Sequence, residues 1–284
     1  MHHGKVSIAI PASVVSDTPH LREKTSKIGL IGRAAAIFRI DEIIVYPDNL
    51  KTNQTQEMHL IALLLSYMET PQYLRKKLFK LEPELQYAGI LPPLRTAHHP
   101  LERTAKRLRI GEYREGVTLT RKTEGTYVDI GVDQPAIVQN KQLATDKRIT
   151  VKIRSIAKQI EAEPVTRDEI PEFWGYTVTS EERPLGKILK NRNFDLAIAT
   201  SRHGIPFSDV AEEIRQRCET ARTILVALGA PNQGLTQIVS QEGLNLENIV
   251  HFVVNTIPSQ GTATVRTEEA LIASLALLNV KLHH

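Results

Sequence analysis

The feature that most constrains this chain is an interruption. Strand and helix alternate over about the first ninety residues, give way to short β-runs, and alternate again from Phe173. Val6-Ser-Ile-Ala-Ile10 and Glu42-Ile-Ile-Val-Tyr46 are short apolar runs, each stopped by a proline, and both read as strands. Between them Leu21, Ile28, Ile31, Ala35 and Phe38 recur at helical spacing, with Arg22, Lys24, Lys27 and Arg33 on other faces. Strand, helix, strand in that order predicts a right-handed parallel crossover. Helices are expected over about 56–68, with Leu60, Leu63 and Leu64 inward, and over the lysine-rich 72–81. Pro92-Pro93 and His98-His99-Pro100 mark a break. Strands are then expected at 116–120, 126–130, 135–138 and 148–153, the spacing of a small barrel or sandwich. Beyond Phe173, strands are expected at 174–178, 194–200, 223–228 and 248–254, and helices at 184–190 and 206–218. Ser208 is the expected N-cap of the latter, while Thr267 is expected to cap a last helix striped by Leu271, Leu275 and Leu278. The economical reading is one α/β domain (1–92 and 171–284) with a β-domain, 93–170, inserted into it.

Composition narrows the function classes. Of 284 residues, 41% are hydrophobic, enough for a real core, but only 5% are aromatic, so recognition mainly by stacked rings has little material. The single cysteine, Cys218, excludes an internal disulfide framework and any multi-thiolate metal site; its predicted helical position reads as core. No apolar run is long enough to cross a bilayer, and the N-terminus has no signal-peptide pattern, so the expectation is a reducing cytoplasm without membrane association. Charge is informative by location. Residues 95–154 hold 13 basic and 7 acidic side chains, whereas the remainder holds 23 and 25. A basic central segment suits phosphate binding, although a solvated surface with interspersed acids would look the same, and a β-module that only stiffens the protein fits nearly as well.

Ligands of parallel sheets bind where strands end. Three C-terminal loops stand out: Thr200-Ser-Arg-His-Gly204, Gly229-Ala-Pro-Asn-Gln-Gly-Leu235 and Asn255-Thr-Ile-Pro-Ser-Gln-Gly-Thr-Ala-Thr-Val-Arg266. They are rich in glycine, proline and neutral hydrogen-bonding groups and nearly free of acids, which fits a polar cofactor better than a metal ion. Gly229 to Gly234 has the glycine gap of a P-loop, but Leu235 replaces the lysine that supports the phosphates. No dinucleotide fingerprint follows an early strand, no nucleophile elbow occurs, and His98, His99, His203 and His251 lack metalloprotease spacing. The terminal His2, His3, His283 and His284 are given no functional weight.

The run Phe252-Val-Val-Asn-Thr-Ile-Pro-Ser-Gln-Gly-Thr-Ala-Thr-Val-Arg-Thr-Glu-Glu-Ala270 resembles the hallmark of the SPOUT-class (trefoil-knot) RNA methyltransferases of archaea and eukaryotes. So do Lys27-Ile-Gly-Leu-Ile-Gly-Arg-Ala-Ala-Ala-Ile-Phe38, Glu42-Ile-Ile-Val-Tyr46 and Leu228-Gly-Ala-Pro-Asn-Gln-Gly-Leu235. The likeness runs nearly end to end and is weakest over 101–168. It implies an α/β fold whose parallel sheet ends in a deep C-terminal trefoil knot, interrupted by an OB-like β-barrel. It also implies a homodimer with active sites at the subunit interface, and S-adenosylmethionine bound bent in the knot loops. Physics of sequence alone would have assigned an ordinary doubly wound sheet.

Carried onto this chain, the cofactor residues implied by the resemblance are Thr200, Ser201, Leu228, Gly229, Ala230, Pro231, Gly234, Asn255, Ile257, Pro258, Gln260, Gly261, Thr262 and Val265. Methyl transfer from a sulfonium needs alignment and removal of a proton from the acceptor, but no metal. Arg33 is the candidate catalytic cation, because SPOUT enzymes use an arginine from such a helix; gripping phosphate or pairing at a dimer face would equally explain it. No general base is identifiable. The expected substrate is RNA, ribosomal RNA first, held by Arg103, Lys106, Arg107, Arg109, Arg121, Lys122, Lys147, Arg148 and Arg266. The rival reading is a non-catalytic RNA-binding or ribosome-assembly factor with a degenerate knot.

Overall fold

The computed structural model describes residues 4–282 and divides them into two compact units. Among the described residues the first comprises 4–68, 86–93 and 176–282; the second comprises 69–85 and 94–175. His2, His3, His283 and His284 lie outside the described residues. The boundaries differ from the expected ones chiefly at 69–85, which the sequence places with the first α/β segment and the structure groups with the barrel.

In chain order the strands are β1 (Lys5–Pro11), β2 (Glu42–Tyr46), β3 (Tyr113–Lys122), β4 (Gly125–Asp129), β5 (Ala136–Gln139), β6 (Arg148–Ile156), β7 (Ile160–Val165), β8 (Thr177–Ser180), β9 (Leu196–Pro206), β10 (Thr223–Ala227) and β11 (Phe252–Asn255). The helices are α1 (Leu21–Ile37), α2 (Thr55–Glu69), α3 (Gln72–Leu78), α4 (Leu185–Arg192), α5 (Phe207–Thr220), α6 (Leu235–Ser240) and α7 (Thr267–Leu282).

The first unit is built on a six-stranded sheet in the order β11-β9-β10-β1-β2-β8, every pairing parallel. Its central strands are Ile-, Val- and Ala-rich runs buried on both faces, as parallel sheets require. Ala9, Ile44, Leu225 and Ala227 share one core with Leu185, Ile188 and Leu189 of α4 and with Leu235, Ile238 and Val239 of α6. Helices α1 and α5 each pack on α7, with buried positions that include Ile28, Ile31, Ile214, Leu271, Leu275 and Leu278. Lys27, expected on a polar face, is buried: Asp17 takes its ammonium at 2.7 Å and Glu268 lies at 3.4 Å.

Several sequence expectations shift. Residues 174–176 are not strand; β8 begins at Thr177, because Gly175 turns the chain at φ +81°. β11 starts at Phe252 rather than Asn248, since Asn245 caps a 3-10 turn at Leu246–Asn248 through its side chain. Ser208 does not cap α5; Pro206 occupies that position and Ser208 bonds Asp209 instead. Thr267 is the first residue of α7 and its hydroxyl points elsewhere, while the Glu269 carboxylate accepts the Arg266 N–H.

The second unit contains a closed barrel, β3-β4-β5-β7-β6. Its core is Val128, Ile130, Ala136, Val138, Val151, Ile153, Ile160 and Ala162. Strand β7 was not expected from the sequence, because Glu161, Glu163 and Pro164 dilute its apolar alternation. The proline is tolerated since only Ile160 and Glu161 of the preceding part meet β5, leaving one flank of Pro164 free of ladder bonds.

Candidate active site

A cavity of about 540 Å³ is lined by the segments that follow β10 and β11 and by residues 200–203, which the sequence placed in a loop but which lie within the second half of β9. Its position follows from how the strands end. β9 and β11 pair at Ala199 with Val253 and again at Ile205 with Val254, so residues 200–204 are thrown out of the ladder while β11 advances by one. Gly204 closes that excursion; a Cβ there would lie 2.6 Å from the Val253 carbonyl oxygen, so only glycine lets the chain rejoin the strand.

The loops are stitched together by hydrogen bonds rather than apolar packing. Tyr46, at the end of β2, donates its hydroxyl to the Leu228 carbonyl at 2.7 Å, and the Leu228 N–H bonds Ala9 at 3.0 Å. Burial, with Asp48 nearby, pushes the Tyr46 hydroxyl pKa far up, so it remains a donor at any working pH. Thr200 donates to the Ala227 carbonyl and Thr267 to that of Gly229, both at 3.1 Å. The Asn255 amide donates to the Arg202 carbonyl, while its own oxygen accepts the Ile257 N–H. Arg202 donates to the Ala263 carbonyl at 3.2 Å and, through Nε, to His203 Nε2 at 3.0 Å. Among the described residues no carboxylate lines the cavity, and Arg202 lines it beside His203.

Of the expected cofactor residues, Thr200, Ser201, Leu228, Gly229, Ala230, Pro231, Gly234, Asn255, Ile257, Gln260 and Val265 line this cavity. Pro258, Gly261 and Thr262 lie on the third loop but off the wall, and a Cβ on Gly261 would meet nothing within 4 Å. Arg33 is also off the wall, half-buried, with one guanidinium nitrogen donating to the Pro93 carbonyl at 3.2 Å. Sequence reasoning missed Tyr46, whose signal was a tyrosine closing a buried strand, and left Arg202, His203, Asn232 and Gln233 without a role.

Among the expected RNA contacts, Arg103, Lys106, Arg107, Arg109, Arg121, Lys122, Lys147 and Arg266 are exposed. Arg107 pairs with Glu102, Arg121 donates to the Leu143 carbonyl, and Lys122 lies over the Tyr127 ring. Arg148 requires correction. Half-buried, its guanidinium is held by Glu69 at 2.6 Å and by Glu115 at 2.6 Å, so its charge is already paired within the protein. That pair belongs to a buried network in the second unit: Glu115 also accepts from Trp174 Nε1 and the Thr150 hydroxyl, and the Glu69 carbonyl accepts from the ring nitrogens of His98 and His99. Burial acts to raise the Glu69 carboxyl, but the His98 hydrogen bond and Arg148 outweigh it and hold it at about 2. Burial, with His98 alongside, lowers His99 to about 4.

A parallel sheet with a cavity at its carboxyl edge places the chain among the α/β proteins, and comparison with known proteins makes the class specific. The family described as "Putative RNA methyltransferase" matches residues 5–278, and the chain belongs to that family. An uncharacterised protein of Halobacterium salinarum is 35% identical over 96% of this chain and 98% of its own length. The human 28S rRNA (uridine-N(3))-methyltransferase is 29% identical over 96% of this chain and 77% of its own. The mouse protein of the same name is 32% identical over 96% and 75%. Among the described residues no helix is long and apolar enough to cross a membrane, and no group of three or more His, Cys, Asp or Glu could hold a metal ion.

Proposed function

We propose that this protein methylates ribosomal RNA, taking the methyl group from S-adenosylmethionine bound in the three-loop cavity, with N3 of a uridine as the acceptor. The observation that carries the donor site is the stitched cavity itself. Leu228, Ile257 and Val265 supply apolar walls for a flat ring, and the turn at 229–234 brings backbone groups to its edge. The residues fit the group: a Cβ on Gly234 would meet nothing within 4 Å, so the wall is open where a ligand needs room, and Arg202 is placed for the donor's carboxylate. When bound, the donor supplies an electrophilic methyl on sulfur. The chain's part is to hold that methyl and the acceptor nitrogen in line, a positioning effect capable of most of the acceleration; as the N3–methyl bond forms, the sulfur–methyl bond breaks to leave the neutral thioether, and the N3 proton passes to solvent. The uridine acceptor is argued from the names of the human and mouse relatives.

The strand order and the Thr267–Gly229 bond that ties α7 to the second loop support a threaded, SPOUT-type C-terminal segment. The barrel supports an OB-like reading: four antiparallel contacts are closed by one parallel pairing, β5 with β7. Its exposed arginines and lysines would grip phosphates. For Arg33 to reach an acceptor, a second copy must bring it to the cavity. Exposed Leu30 and Ile37 on α1 and Ile272, Leu277 and Val280 on α7 form an apolar surface suited to such a homodimer. Two measurements test the reading: calorimetric titration with S-adenosylmethionine, and transfer of label from the tritiated donor to ribosomal RNA with the modified base mapped by mass spectrometry. Micromolar binding and N3-methyluridine are expected. An unlabelled RNA with the donor bound would leave an RNA-binding factor instead, and absence of donor binding removes the enzyme altogether.

A further inference from the structure

Beside the donor cavity the first unit has a second one, of about 340 Å³, at the carboxyl ends of β1 and β2. Ala230, Asn232 and Gln233 line both, so the two share the turn after β10 as a common wall. The rest of the second cavity comes from Ser13, Ser16 and the segment from Asp48 to Glu57. Part of this lining is framework. Asp48 is buried and saturated, accepting the Ser13 N–H at 2.9 Å, the Ser13 hydroxyl at 2.6 Å and the Gln54 amide at 3.0 Å. The Gln54 oxygen in turn accepts the N–H groups of Asp48 and Asn49, and Asn53 caps α2 by accepting from Thr55. These bonds fix the loop.

Ser16, Thr52, Glu57 and Asn232 line the cavity without taking part in these framework bonds; Glu57 is half-buried and the other three are exposed. Among the described residues no lysine, arginine or histidine lines it. A phosphate is therefore disfavoured: it would meet the Glu57 carboxylate with nothing to balance it. A flat ring with adjacent N–H donors suits the same groups. A carboxylate accepts from two neighbouring donors at once, and hydroxyl and amide groups beside it serve a ring carbonyl. Guanine presents that edge: N1–H and the 2-amino group as paired donors, with O6 as acceptor. Uracil presents a single N–H flanked by two carbonyls, which a carboxylate repels. Single-stranded RNA is read in this manner, by unstacked bases bonded along their Watson–Crick edges.

We infer that this cavity is a guanine subsite for a residue of the substrate RNA lying next to the methylated one. The assignment to RNA rests on the methyltransferase reading. The shared wall separates a ring held here from the donor cavity, so its occupant is a neighbour of the acceptor rather than the acceptor itself. Glu57 is the specificity-determining residue, bonding N1–H and the 2-amino group, with Asn232 on the wall facing both cavities.

The test titrates the full chain with guanosine, inosine and uridine, following backbone amides by NMR, with and without saturating S-adenosylhomocysteine. Guanosine is expected to shift the amides of Asn49, Thr52 and Asn53, inosine (which lacks the 2-amino group) to bind about tenfold more weakly, and uridine not to bind there. Glu57→Gln should abolish the preference for guanosine over inosine, and Asn232→Ala should weaken both nucleosides, with S-adenosylhomocysteine affinity unchanged by Glu57→Gln. Guanosine shifts confined to the donor cavity, or a preference surviving Glu57→Gln, would overturn the inference. Failure of S-adenosylhomocysteine to bind while guanosine still does would instead strike the methyl-donor reading and leave the subsite standing.

Discussion

Tyr46 shows how one atom organises the site. Its hydroxyl reaches the carbonyl of Leu228 from the end of a different strand, and both groups are buried. Tyr46→Phe leaves that carbonyl without a partner, so a loss of about 1–3 kcal/mol is expected in urea unfolding, together with weaker donor binding. Gly234 gives the complementary experiment. Its φ is −73°, a value open to any residue, and a Cβ there meets nothing. Gly234→Leu should therefore leave the melting temperature in place while donor affinity falls by more than tenfold, read by calorimetry; an unchanged affinity would remove Gly234 from the donor site. Both positions were present in the sequence as types, but only the glycine was legible there. A motif marks the glycine, whereas the tyrosine acts on a residue 182 positions away.

Among elements, α1 and α7 carry the exposed apolar residues that a second copy would cover. If the proposed dimer forms through this surface, Leu277→Glu combined with Val280→Glu should give a monomer by light scattering where the parent chain is a dimer, and remove methyl transfer while sparing donor binding. In the barrel unit the Glu69 and His99 side chains set the response to acid. His99 titrates near 4 instead of its ordinary 6.5, so the unfolded chain binds its proton first and stability falls as pH drops from about 6.5 to about 4. Glu69, held at about 2 against 4.5, contributes stability that is complete above about 4.5 and disappears as pH falls through about 2. Denaturant midpoints measured against pH should thus fall in two steps, and His99→Asn should erase the upper one. The sequence showed the barrel's even strand spacing, yet not β7, whose glutamates and proline suit a strand paired fully on one flank only. It equally hid the role of Arg148, because a basic residue drawn inward by Glu69 and Glu115 looks in one dimension like any other basic residue.

For the whole molecule, RNA affinity should be governed by the exposed basic residues of the barrel unit. Neutralising Lys122 or Lys147 should weaken binding uniformly across sequences and lower the slope of log K against log salt by about one each, in filter binding. Arg148→Gln should leave that slope unaltered and lower stability instead. Alternation of strand and helix revealed the parallel sheet, because buried β-branched runs need no partner to be recognised. The sheet's strand order was beyond reach of such patterns, since Lys5 in β1 pairs with Thr223 in β10. That pairing has a consequence for biosynthesis. The first strand leaves the ribosome long before the strand that must lie beside it, while every residue of the closed barrel is translated in the interval. Nascent chains of this protein should therefore carry an incomplete sheet while the barrel is being made, and their dependence on chaperones should last until β10 has emerged.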